Sequence, residues 1–139
     1  MSDVTGVPFN DIQNACYALF IATTAITGAV YDEVPDESMT WPYTILGEPE
    51  DLPFEARGVK GRNVIVPFEV FSRGHGGKQE VYTIMSEIVT KLTVAKLSMT
   101  SWSEVWKTFN QGKVVREKKE GSPLVFKGVV TMLISVAKK

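Results

Sequence analysis

The stretch from Leu124 to Val136 constrains the chain more than any other. Leu124, Phe126, Val130, Met132, Ile134 and Val136 share one phase of a two-residue repeat, while Val129 and Leu133 alternate with Lys127, Thr131 and Ser135 in the other. Successive side chains of a strand point to opposite faces, so this pattern requires a long strand with one apolar face and one partly wet face. An apolar face of that length has to be covered by a second layer. A cover is legible upstream, where Val81, Ile84, Met85, Ile88, Val89 and Leu92 recur at the spacing of one helix face within a helix from Lys78 to Leu92.

The other elements follow from the same two periodicities. Phe9, Ile12, Cys16, Leu19, Thr23 and Ile26 alternate in steps of three and four, predicting a first helix with Pro8 in its opening turn and Gly28 as terminator. From Ala15 to Ile26 this helix carries no charge, so its second half must be covered on more than one side, by the core (the expected case) or by a neighbouring subunit. Val30 to Val34 reads as a short strand stopped by Pro35, and Tyr43 to Leu46 as a second, opened by Pro42 and closed by Gly47. The segment from Glu48 to Gly61 is rich in Pro, Gly and charge and reads as a long exposed loop. Asn63 to Ser72 is a third strand, apolar on both faces. Pro67 within it cannot donate to a ladder, which predicts a bulge or a sheet edge there. Trp102 to Phe109 and Val114 to Lys118 lead to a turn at Glu120-Gly121-Ser122-Pro123 and the closing strand. The expected architecture is one α+β domain over residues 1–139, in the order αβββαββ. It has an antiparallel sheet of about five strands and two helices packed on one face.

Little in this sequence supports chemistry. A single cysteine, Cys16, forbids an internal disulfide, and its place on an apolar stripe makes it a small hydrophobe. One histidine, His75, and one cysteine cannot build a zinc or iron centre. Gly74-His75-Gly76-Gly77 reads as a turn between a strand and a helix rather than an oxyanion loop, since no Gly-x-Ser-x-Gly elbow accompanies it. Neither Gly77-Lys78 nor Gly112-Lys113 completes a phosphate loop. The acidic pairs Asp32/Glu33, Asp36/Glu37 and Glu50/Asp51 read as solvated charge, and Trp102 and Trp106 as core aromatics. The expectation is a protein without enzymatic activity, metal or other cofactor. The least polar run, Ala15 to Val30, is too short to span a bilayer, and no base precedes it as a secretory signal would require, so synthesis in the cytoplasm and no membrane association are expected.

Charge is distributed very unevenly along the chain. Residues 1–56 hold ten acids and no base, and residues 57–139 hold fifteen bases and six acids, giving −10 and +9 within a net charge of −1. Folding either interleaves the two halves into a mixed surface or leaves a two-faced subunit. Identical two-faced subunits can join acidic flank to basic flank, a heterologous contact that closes into a ring when the rotation allows.

The pattern as a whole resembles the small tail-completion and tail-terminator proteins of long-tailed bacteriophages. The resemblance runs through Val30-Tyr31-Asp32-Glu33-Val34-Pro35 and Pro42-Tyr43-Thr44-Ile45-Leu46-Gly47. It continues in Phe68-Glu69-Val70-Phe71-Ser72, a glycine turn, the amphipathic helix and a closing hairpin at Gly121. It implies a homo-oligomeric ring, of six subunits by family analogy, on the head-proximal end of the tail tube. Such a ring stops tube elongation and meets the head–tail connector protein, while DNA passes through the lumen unread. Exposure and charge point to the charged segment with Glu50, Asp51, Glu55, Arg57, Lys60 and Arg62, the turn with Arg73, His75 and Lys78, and the strand around Pro67 as the expected subunit and partner contacts of such a ring. A small-ligand-binding or enzymatic cone-shaped α+β domain is the alternative, and it requires a deep apolar pocket with convergent polar groups such as Tyr17, Asp32 or His75.

Overall fold

The computed structural model describes residues 7–22, 28–31, 42–52, 61–73, 77–117 and 125–138. Two helices, α1 (Phe9–Ile21) and α2 (Gly77–Val94), accompany six strands: β1 (Ala29–Tyr31), β2 (Tyr43–Leu46), β3 (Glu50–Leu52), β4 (Gly61–Arg73), β5 (Trp102–Glu117) and β6 (Val125–Lys138). The fold is α+β, as the periodicities require, with one more strand than the sequence suggests. Strands run in the order β1-β2-β4-β6-β5, with β3 on β4 beside β2. All pairings are antiparallel except β1 with β2, which is parallel.

The long alternating strand is the spine of the sheet. β6 pairs with β4 without interruption from Gly61↔Ala137 to Arg73↔Val125. That register puts Val64, Val66, Phe68 and Val70 on one face with Ile134, Met132, Val130 and Gly128, and all are buried. α2 lies across β4, β6 and β5 with Val81, Ile84, Ile88 and Leu92 fully buried against this face. α1 covers the same face towards the other end of the sheet, where its Phe20 ring meets Phe68 edge-on at 5.2 Å. Cys16, Ile12 and Phe9 lie over Leu46, Val66 and Phe68.

Four expectations need correction. First, β4 is an interior strand, not an edge, and its ladder to β6 has no bulge at Pro67. Proline is accommodated because β2 pairs with Phe68–Phe71 and β3 with Asn63–Ile65, leaving Pro67 opposite the break between them. Gly47 N–H donates to Pro67 O across that break at 2.8 Å. The N and O of one strand residue point to the same side, so the missing proline donor faces a gap and no ladder bond is lost. Second, the supposed loop from Glu48 holds β3, a three-residue strand made stable by its partner rather than by its own composition. Residues 53–60 lie outside the described residues. Third, α1 ends at Ile21, well before Gly28. Gly28 instead has a φ of +88° beside β2, where a Cβ would stand 2.5 Å from Pro42 O. Only glycine fits that left-handed, crowded position, which brings Ala29 N–H onto Pro42 O to start the β1–β2 pair. Thr23, Ile26 and the rest of the expected Val30–Val34 strand beyond Tyr31 lie outside the described residues, as does the Gly121 turn. Fourth, the two segments expected at Trp102–Phe109 and Val114–Lys118 form one continuous edge strand, β5. Its register on β6 slips twice, between Glu104 and Trp106 and between Phe109 and Gln111.

Candidate functional site

The expected contact residues do not form one patch. Glu50, Asp51 and Arg62 gather where β3 meets the start of β4, and Arg62 Nη1 bonds Asp51 Oδ2 at 3.1 Å across the two strands. Arg73 stands at the opposite end of β4, with Lys78 exposed in the first turn of α2. At about 3.3 Å per residue the strand between these groups spans roughly 40 Å. Pro67 sits half-buried midway. Glu55, Arg57, Lys60 and His75 lie outside the described residues.

Strand order gives the charge pattern a spatial form. The acidic half of the sequence supplies α1, β1, β2 and β3, whose only charged residues are Asp11, Glu50 and Asp51. The basic half supplies β6 and β5 at the other end of the sheet, with Lys107, Lys113, Arg116, Lys127 and Lys138. The strands of the two halves are therefore not interleaved. β4, the first strand of the basic half, is the seam between them.

Each flank also exposes apolar side chains. On α1, Tyr17 and Ile21 are 38% and 54% exposed and stand one turn apart on the uncovered side of the helix. Among the described residues of the apolar run, Ala15 to Ala22, the core thus covers one side of the helix. On the far flank, α2 and β5 border a groove of about 350 Å³ lined by Met85, Ser86, Val89, Thr90 and Phe109, with Val130 at its floor. Phe109 is 49% exposed, and Tyr82 and Val105 are exposed on the same two elements. Trp102 is buried as expected, with Lys138 Nζ 4.9 Å above its ring, whereas Trp106 is exposed.

The groove holds no titratable side chain and is open rather than deep. Tyr17, one of the polar groups a ligand site would need, lies on α1 and does not line it, while Asp32 and His75 lie outside the described residues. No group of three or more His, Cys, Asp or Glu suited to a metal occurs among the described residues. No helix among them is long and apolar enough to cross a membrane.

Among the described residues, Cys16 is the one strongly perturbed ionisable group. Burial raises its thiol pKa to about 12, with nearby Lys107 working against the shift and Glu104 adding to it. A thiol held protonated this firmly is a poor nucleophile. We expect native protein to resist alkylation by iodoacetamide at pH 8 and to react as soon as urea unfolds it. The raised pKa also fixes a pH dependence. The unfolded thiol begins to ionise near its ordinary value of 9.0 while the folded thiol does not, so stability falls as pH rises above about 9. A Cys16→Ala variant should lose that dependence in urea titrations between pH 8 and 10.

Comparison with known proteins bears on the whole chain. No curated protein matches it. A chain from a solved structure described as the virion of a native gene transfer agent (GTA) particle has the same fold. The TM-score is 0.81 over 96% of this chain and 99% of that one, at 18% identity. The family model for tail completion protein gp17 matches residues 15–136. The chain belongs to the tail completion protein gp17 family and is a structural protein of a phage-type virion tail.

Proposed function

We propose that copies of this subunit close into a ring, six-membered by family analogy, on the head-proximal end of the tail tube, stopping its elongation and presenting a surface to the head–tail connector protein. The observation that carries this reading is the strand order, which keeps the described strands of the acidic half, β1, β2 and β3, and the basic-half strands β6 and β5 on opposite sides of β4. Opposed flanks of opposite charge favour a head-to-tail contact, and repetition of that contact about an axis generates a ring. Acidic groups lining a lumen would let anionic DNA pass without adhering, because binding to phosphates depends on bases that displace counterions.

Tube subunits polymerised in the presence of the protein should give tubes of bounded length with a ring at one end in electron micrographs. Tubes of unrestricted length without end rings, at protein in excess over tube ends, would overturn the reading.

A further inference from the structure

We propose that the joint between neighbouring copies is an apolar ridge seated in a groove: Tyr17 and Ile21 of α1 in one copy enter the α2–β5 groove, lined by Met85, Val89 and Phe109, of the next. This deepens the ring reading and rests on it.

Three observations on this one chain carry it. The first is that each flank holds an uncovered apolar feature of complementary shape. Ile21 and Tyr17 form a ridge on a convex helix surface, and the groove between α2 and β5 is concave, apolar and empty of charge. Exposed apolar clusters rimmed by polar surface mark sites of association.

The second is placement. Around α1, Asp11 leans to the side where its Oδ2 accepts from Ser101 N–H at 2.8 Å, next to the segment that leads into β5. Gln13, on the other side, leans over Gly47 and Pro49 beside β2 and β3. At 100° per residue Tyr17 lies 40° from Gln13, and Ile21 lies 80° from both Gln13 and Asp11, so the ridge points away from the core with a tilt towards the Gln13 side. Ridge and groove thus lie on different elements, the ridge on α1 and the groove between α2 and β5, as a head-to-tail contact requires.

The third is charge. β3, beyond β2, carries Glu50 and Asp51, the latter paired with Arg62, and β5 and β6 on the groove flank carry five bases against two acids. A second copy in head-to-tail orientation matches both charge and polarity of surface at once, whereas two groove flanks face to face would set bases against bases.

Ile21→Cys and Phe109→Cys test the contact directly. Both positions are solvent-exposed and the native Cys16 is fully shielded, so the introduced thiols are the reactive ones. Under mild oxidation on polymerised tube subunits, the double variant should yield a ladder of disulfide-linked multimers. A mixture of the two single variants should yield cross-linked dimers. Neither single variant alone should cross-link. Dimers from Phe109→Cys alone or Ile21→Cys alone would establish a two-fold contact and overturn the proposal. Tubes capped by the double variant with no cross-linking would overturn the ridge-in-groove joint while leaving the ring intact. Absence of both caps and cross-links, with wild-type protein also failing to cap, would overturn the ring and the joint together. As a second arm, Ile21→Glu should abolish capping with an unchanged urea unfolding midpoint. Full capping by that variant would overturn the proposal.

Discussion

Lys107→Met should lower the unfolding free energy by about 3 kcal/mol, the lower end of what breaking a buried ion pair costs. The Lys107 ammonium and Glu104 carboxylate pair on β5 with side chains only 6% and 11% exposed. Each also ties the sheet to the chain leaving α2: Lys107 Nζ donates to Ala95 O at 3.1 Å, and Glu104 Oε1 accepts from Leu97 N–H at 2.9 Å. Methionine fills the space of the lysine stem but leaves the Glu104 carboxylate shielded from water with no counter-charge and strips Ala95 O of its donor. The unpaired charge is the dominant part of the cost. The thermal midpoint should fall by roughly 10 °C. Adding Glu104→Gln to Lys107→Met removes the stranded charge while keeping an acceptor for Leu97, so the double variant should be more stable than the single one in urea titration. Equal stabilities would mean that the pair acts through packing rather than charge.

Gly128→Val is expected to cost about 3 kcal/mol, at the upper end for overpacking a core. Gly128 sits in β6 beneath α2, opposite Val70 in the ladder. A Cβ there would stand 2.5 Å from Val81 Cγ1 and 2.6 Å from Met85 Sδ. The thioether of Met85 can swing aside, but Val81 is β-branched, fully buried and held by the helix backbone. The helix would have to lift from the sheet, loosening Ile84 and Ile88 as well. Calorimetry should show the loss, and Val81→Ala should recover part of it when combined with Gly128→Val, since the two changes meet in one place. A Gly128→Val protein of wild-type stability would mean that α2 does not pack this closely on β6.

These elements differ in how far the sequence announced them. β2 is found at Tyr43–Leu46 as read, and β6 and α2 are found within a few residues of their expected ends, because each carries an uninterrupted period between clear stops. β3 was illegible, since Glu50 and Asp51 are poor strand formers and their order comes from β4, which is remote information. Pro67 announced a missing donor correctly, but a missing donor can face a gap between two short strands as well as open solvent, and local sequence does not say which. The contact surface was the least legible part. Charged residues near Arg62 and Arg73 are close in sequence yet stand at opposite ends of a long strand. Phe109 has the same local pattern as a core aromatic, and its exposure follows from β5 being the last strand of the sheet. The ridge did leave a trace. The absence of charge from Ala15 to Ile26 asked for cover on a second side of α1, and the fold leaves Tyr17 and Ile21 bare there.

The double slip in β5 bears on how such a subunit survives before it is used. A long border strand with a free outer rim offers its backbone to any passing extended chain, and a straight one invites stacking into ribbons without end. Two interruptions in this strand bend the rim and break the even row of donors and acceptors that a ribbon needs. Copies waiting in solution are thereby left with side chains as their means of recognition. In the proposed ring, growth by side-chain fit would stop when the circle is complete, whereas growth by backbone ladder has no stopping point.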